Sequence, residues 1–229
     1  MIVDDIITID GPTSSGKNSV GFLLAQKLGY QYIDTGMIYR AGCFKILQQN
    51  VSSSDLEKIL EIYRNLDIKF ETNNQWKMFL DREDVTDKLH TPEISKLVPV
   101  ISAKSEVREV MRGIQRKLGE SGKIVMGGRD IGSEIYPNAR YKFFLTASVE
   151  VRANRKFKQL VDKDPDMKYE DVLKDMESRD NQDMTREASP LRVPEGAITI
   201  DNSNMSIEQT VEEMLKHFLD VIPAPASPA

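Results

Sequence analysis

An α/β fold, with a mostly parallel sheet flanked by helices, is predicted by three observations. The apolar run Ile6 to Ile9 enters a glycine-containing loop that opens a helix, Asp10-Gly11-Pro12 marking the tight turn. Short apolar strands then alternate with helical periodicity through most of the chain, the pattern that yields parallel strands joined by helices. Around residues 67–80 the pattern changes to a hairpin, which predicts a small β-containing insertion.

Each element follows from local chemistry. Ser19 through Leu28 carries Val20, Phe22, Leu23, Leu24 and Leu28 on a broad apolar face, and Gly29 is placed to end that helix. Tyr30 to Ile33 reads as a strand and Met37 to Leu47 as a helix. Asp55 to Leu66 reads as another helix, with Ser54 as its cap. Asp67 to Glu71 and Gln75 to Leu80, divided by Thr72-Asn73-Asn74, form the hairpin, and Trp76 is expected to pack it against the core. Helices follow at Pro92 to Ile101 and Glu106 to Leu118, the second capped by Ser105. Lys123 to Met126 and Tyr141 to Leu145 are strands, and Ser148 caps the next helix. Asp162 to Lys168, charged and holding Pro165, reads as a loop before a helix from Tyr169 to about Asp183. Ala197 to Ile200 closes the sheet, and Ile207 to Leu219 is the last helix.

The 229 residues suit one domain over residues 1–221, with an insertion at about 50–104; residues 222–229, rich in Pro and Ala, are expected to be a disordered tail. A net charge of -5 argues against a nucleic-acid binder, which needs a basic surface to displace counterions. No leader and no long apolar span is read, so no membrane association is expected. The lone Cys43 cannot form an internal disulfide and reads as a small buried hydrophobe in a reducing, cytoplasmic setting. A monomer is expected.

The chemistry begins at Gly11-Pro12-Thr13-Ser14-Ser15-Gly16-Lys17. A strand, a loop with glycines at this spacing and a helix beginning with lysine are what a polyphosphate site requires. The glycines allow backbone N–H groups to turn toward one point, the helix dipole favours an anion there, and Lys17 reaches the outer phosphates. The fold is therefore expected to be of the P-loop NTPase type, with the polyphosphate of a nucleotide cofactor bound by residues 11–17 together with Asn18 and Ser19. The position directly after the lysine, which ligates Mg²⁺ in many such loops, is Asn18, and the hydroxyl comes one place later at Ser19. The metal is accordingly expected to be held mainly by phosphates and water, with no protein ligand assigned.

Three further segments place arginines near strand ends or loops: Asp34-Thr35-Gly36-Met37-Ile38-Tyr39-Arg40, Gly128-Arg129-Asp130-Ile131-Gly132, and the run from Arg179 to Arg186. Ligands of open α/β sheets bind outside the carboxyl ends of the strands, so these arginines can converge on one anion. Their planar forks suit phosphate. The alternative for each arginine taken singly is a surface ion pair with Asp34, Asp130, Asp180 or Asp183.

Taken together, the phosphate loop, Asp-Thr-Gly-x-x-Tyr-Arg, Gly-Arg-Asp-Ile-Gly, Phe-Leu-Thr-Ala-Ser and the Arg-Asp-x-x-Asp-x-x-Arg run ending in Ser189-Pro190-Leu191 resemble the bacterial cytidylate kinases, over about Ile6 to Phe218. The resemblance implies a nucleoside monophosphate kinase acting on CMP and dCMP with ATP. It implies that Arg40, Arg129 and Arg186 hold the acceptor phosphate, with Lys17, Arg129 and Arg186 catalytic. It further implies that Asp34, Thr35, Tyr39, Arg108 and Asp130 shape the acceptor site, that Arg179 and Asp183 contact ribose or phosphates, and that Arg155 binds the donor within a lid at about 155–186. Three positions depart from that pattern. Asn18 replaces a small glycine, Gln182 stands where many relatives carry a lid arginine, and Pro99 falls near the position of a serine that helps read cytosine.

A phosphate acceptor has a second pKa near 6 and is already largely a dianion at neutral pH, so no catalytic base is required. His90 and His217 lie outside every motif and are read as structural or exposed. A kinase for UMP, dTMP or a hydroxyl compound is the nearest rival; a hydroxyl acceptor would need a base, for which only Asp34 or Asp130 is placed. From other classes, a nucleotide-dependent switch remains open, a GTPase lacks its Asn-Lys-x-Asp segment, and an RNA-binding protein lacks both basic charge and aromatic stacking motifs.

Overall fold

The structure, a computed structural model, describes residues 3–162 and 164–218. The expected disordered tail at 222–229 and the expected end of the last helix at Leu219 lie outside the described residues. Five parallel strands form the central sheet in the order β2-β6-β1-β7-β8, from Gln31–Asp34 (β2), Ile124–Gly128 (β6), Val3–Asp10 (β1), Ala139–Thr146 (β7) and Ile198–Asp201 (β8). Strand register aligns the carboxyl ends: Asp10 pairs with Gly128 and Phe144, Asp34 with Gly127, and Thr146 with Asp201. Every residue that follows these ends emerges on one edge of the sheet.

Helices cover both faces because adjacent residues of a buried strand point in opposite directions. Ile7, Ile9, Val125, Phe143 and Leu145 face Val20 and Leu24 of α1 (Lys17–Leu28) and Val211 and Met214 of α8 (Ile207–Lys216). Ile124 and Met126, one position out of phase with Val125, face Ile38 and Ile46 of α2 (Thr35–Gln48), Ile59 of α3 (Leu56–Arg64) and Met111 of α5 (Ser105–Gly119). Helices α6 (Val149–Val161) and α7 (Tyr169–Thr185) pack against each other beyond the strand ends.

Between α3 and α4 (Pro92–Ser102) the chain forms a second, antiparallel sheet of β3 (Ile68–Thr72), β4 (Trp76–Leu80) and the two-residue β5 (Glu83–Asp84). It covers the edge of β2, whose outward backbone groups would otherwise be left to pair with another chain. Thr72 Oγ1 accepts from the Tyr32 N–H at 2.8 Å, Trp76 Nε1 donates to the Tyr32 carbonyl at 3.2 Å, and Gln31 Nε2 donates to the Phe70 carbonyl at 2.6 Å. Trp76 packs the insertion on the core as expected, its ring against Tyr32 and Phe70.

Several boundaries differ from the sequence expectation. Asp55, not Ser54, caps α3, its carboxylate accepting from the Lys58 N–H. Ser105 is the first residue of α5 rather than its cap, and its hydroxyl donates to Glu106. Helix α2 starts at Thr35, two residues early, because Asp34 Oδ1 accepts from the Gly36 N–H. Ser148 caps α6 as expected. The π-type turn Ile131–Ile135 is not foreshadowed by local periodicity.

Candidate functional site

The phosphate loop joins β1 to α1. Gly11 (φ 150°), Ser14 (φ 55°) and Gly16 (φ 94°) take the positive dihedral angles that fold the loop back over the helix start. At Gly11 the requirement is also one of space, since a Cβ would lie 2.0 Å from the Leu145 carbonyl oxygen of β7. Lys17, 7% exposed, curls under the loop and donates to the Gly11 and Pro12 carbonyls at 2.7 and 2.6 Å and to Ser15 Oγ at 3.2 Å. Burial, and then Arg129, push its ammonium well below the usual lysine range. Thr13 offers its carbonyl to Arg152, and Ser15 offers its own to Asn202.

Asn18 and Ser19, in the first turn of α1, are exposed. The Asn18 amide donates to Asp34 Oδ2, and its oxygen accepts from the Tyr32 hydroxyl at 3.1 Å. Asp34 is thereby held twice, as the α2 cap and as the partner of Asn18. The buried Thr35 donates to the Gly127 carbonyl at 2.8 Å, tying α2 to the end of β6.

The arginines form two linked groups. In the first, Arg129 Nε donates to Asp183 Oδ2 at 2.9 Å, and Asp183 Oδ1 accepts from Arg186 at 3.2 Å. Burial tends to raise the Asp183 carboxyl, but Arg129, Arg186 and Arg179 outweigh it and hold the group below its ordinary value. Arg179 is drawn down to about 10 by burial and then by Arg129, with Arg40 also adding repulsion. Cations this close are held apart from water against their own charge, an arrangement that favours any anion entering between them. Arg40 reaches toward α4, donating to the Leu89 carbonyl at 2.9 Å and Ser95 Oγ at 3.2 Å.

The second group is more deeply buried. Arg108 pairs with Asp130 at 2.9 Å, both almost fully buried, and its guanidinium stands 5.8 Å from the centre of the Tyr39 ring. Burial raises the Tyr39 phenol to about 12. Arg186 bridges the groups. It donates to the Ser189 carbonyl at 2.7 Å and feels the charges of both Arg108 and Asp183, while one buried terminal nitrogen has no partner among the described residues.

On the other flank, Arg155 of α6 donates to Asn202 Oδ1 at 3.0 Å and to its carbonyl at 2.8 Å. The same asparagine donates from Nδ2 to the Ser15 carbonyl at 3.0 Å. Arg152 donates to Thr13, to the Ala147 carbonyl and to Asp180 of α7. Sequence reasoning named neither Asn202 nor Arg152, and it considered Asp180 only as an ion-pair partner. Asn202 could have been found, because it directly follows the last strand at the sheet's carboxyl edge, where ligands of such folds bind. Arg152 carried no such signal. Its role depends on how α6 crosses the loop.

Of the expected site residues, Lys17, Arg129, Arg179, Arg186, Asp183 and Asp34 share one electrostatic neighbourhood, and Tyr39, Arg108 and Asp130 adjoin it through Arg186. Arg155 stands apart with Asn202. Pro99 lies inside α4, and Gln182 is exposed on α7. Among the described residues no cluster of three metal-ligating side chains occurs. No described helix is long and apolar enough to cross a membrane.

A buried loop lysine at the start of a helix, faced by arginines from three different segments at the carboxyl edge of a parallel sheet, defines a phosphate-loop phosphotransferase. Residues 7–220 match the family described as cytidylate kinase. The chain is 46% identical over 208 residues to the cytidylate kinase of Caldanaerobacter subterraneus subsp. tengcongensis, covering 91% of this chain and 92% of that protein. It is 43% identical over 211 residues to that of Bacillus subtilis, covering 92% and 94%. The chain belongs to the cytidylate kinase family. The crystal structure of TT1252 from Thermus thermophilus shares the fold, with a TM-score of 0.51 at 18% identity and coverage of 97% of this chain and 100% of that one.

Proposed function

We propose that this protein transfers the γ-phosphoryl group of ATP in line to the phosphate of CMP or dCMP. Two things support the reading: membership of the family, and the gathering of Arg129, Arg179 and Asp183 beside Lys17. The acceptor is itself an anion, so the chemistry needs charge cancelled and two phosphates aligned rather than a base. The residues fit that task. The loop N–H groups and Lys17 hold the donor, Arg40, Arg129 and Arg186 hold the acceptor phosphate, and Arg179 with Asp183 spans the ground between them. Tyr39, Thr35, Arg108 and Asp130 shape the acceptor pocket.

Mg²⁺ would neutralise charge on the donor phosphates. Asn18 commits its amide to Asp34 and Tyr32, which fits a metal held mainly by phosphates and water, with Ser19 as the nearest exposed hydroxyl. Helices α6 and α7, carrying Arg155 and Arg179, act as the lid over residues 155–186, and the insertion over 50–104 belongs to the monophosphate side. Water exclusion by the lid protects ATP from hydrolysis. The protein works as a monomer in the cytoplasm.

The test follows ADP formation from MgATP with CMP, dCMP, UMP, AMP, GMP and dTMP supplied separately, beside a control without acceptor. Turnover with CMP and dCMP above the others is expected. Preference for UMP would move the base assignment while keeping the phosphate chemistry, and absence of acceptor-stimulated ADP would bring the nucleotide-switch reading forward.

A further inference from the structure

Asp10 is the last residue of β1, directly ahead of Gly11, and none of its side chain is exposed. Its two oxygens are each taken by a different main-chain N–H of the loop after β6: Oδ1 accepts from Ile131 at 2.8 Å and Oδ2 from Gly132 at 2.7 Å. Those two N–H groups open the π-type turn, where helical bonding leaves donors without partners. They also directly follow Arg129 and Asp130. The parallel ladder between β1 and β6 ends at Asp10 and Gly128, so beyond that pair no sheet hydrogen bond sets the Arg129–Asp130 segment relative to the phosphate loop. The carboxylate of Asp10 is the link that continues where the ladder stops.

The arrangement is costly, which argues for a purpose. Burial raises the Asp10 carboxyl to about 7, against the pull of the two backbone bonds. Thr8, two residues earlier, lies on the same strand face. Thr8, fully buried, has a hydroxyl with no partner among the described residues, and a Cβ on Gly132 would come within 2.8 Å of it and 3.2 Å of Asp10 Oδ2.

We propose that Asp10 is a positioning residue, a two-point clamp that holds the Arg129–Asp130 segment in register with the phosphate loop so that acceptor and donor meet in line. The clamp rests on the kinase reading. Its loss frees the acceptor-side segment, while the loop and Lys17 that hold the donor keep their own hydrogen bonds, and displacements of about 1 Å in such alignments lower rates about 100-fold.

The experiment compares wild type, Asp10→Asn, Asp10→Ser and the near-isosteric Thr8→Val in steady-state turnover of MgATP and CMP. It adds calorimetric titration of ATP without acceptor and a thermal unfolding curve, at pH 8. Asp10→Asn should lower kcat about 30- to 100-fold or raise the CMP KM by a similar factor. ATP affinity should stay within about threefold, and the unfolding midpoint should change little, because removing a buried charge offsets the one backbone N–H that the asparagine NH2 cannot accept. Asp10→Ser, smaller and also uncharged, should behave alike and stands in if the asparagine variant does not fold. Thr8→Val should match wild type. Wild-type kinetics in a folded Asp10 variant would overturn the clamp, as would ATP affinity and unfolding midpoint falling in step with activity, or failure of both variants to fold, each the mark of a purely structural role. A wild-type enzyme whose ADP formation no nucleoside monophosphate stimulates would instead remove the kinase reading, and the clamp with it; turnover with another monophosphate would move the comparison to that acceptor.

Discussion

Arg108 donates to Asp130 across 2.9 Å with both side chains almost fully out of water, so neither charge has solvent to fall back on. Removing one partner leaves the other charge buried and uncompensated. Asp130→Leu should therefore lose about 3–5 kcal/mol in chemical denaturation. The double variant Arg108→Met with Asp130→Leu should recover most of that stability while remaining a poor catalyst. Recovery of activity along with stability would make the pair a structural feature only.

Lys17 and Arg129 are neighbouring cations in the site, and the proposed mechanism has both act on the transferred group. Lys17→Ala should lower kcat by about 10²- to 10³-fold, the range seen when a single preorganised charge is removed from a developing anion. Arg129→Ala should in addition raise the apparent KM for the acceptor. Near-normal turnover by either purified variant would take that residue out of the mechanism.

Asp183 has its carboxyl held below the ordinary value because Arg129, Arg186 and Arg179 outweigh the effect of burial. A depressed carboxyl contributes stability that is present above the unfolded pKa, near 4, and is lost as pH falls through the folded value. Asp183→Asn should lose about 2 kcal/mol at neutral pH, with a shallower decline below pH 4. Urea midpoints measured from pH 3 to 7 read both effects, and parallel curves for wild type and variant would contradict the assignment.

Cys43 is buried, and burial pushes its thiol up to about 12 despite a contact with the Tyr63 hydroxyl. A disulfide-exchange reagent should modify it more slowly than in urea-unfolded chain by at least about 10³-fold, since reaction waits on opening of the core. Fast labelling of the native protein would show that α2 opens readily.

Local chemistry was enough to place the phosphate loop. The apolar strand, glycines at positions that need positive φ, and the lysine at the helix start are all consecutive in the chain, so Gly11 to Lys17 could be read without knowing anything distant. The central strands, the hairpin and most helices were legible for the same reason, because periodicity of two or 3.6 residues is a local property. Caps were less so: Asp55 and Asp34 won positions that hydroxyl residues nearby could also have taken, and the π-type turn at Ile131 depends on a carboxylate from another strand.

What only the tertiary structure decided is which charges meet. Arg129 and Asp183 are 54 positions apart, Arg152 and Asp180 28, and Asp10 and Gly132 122. No spacing rule joins them, because their proximity is created by strand order and helix crossing. Asn202 likewise touches the Ser15 carbonyl from 187 positions away. The sequence determined that arginines would sit at strand ends and loops near a polyphosphate site. The packing of β6 beside β1, and of α7 over α6, decided which of them face that site and which residues hold them there, since electrostatic partners in a desolvated site are set by distance in space rather than along the chain.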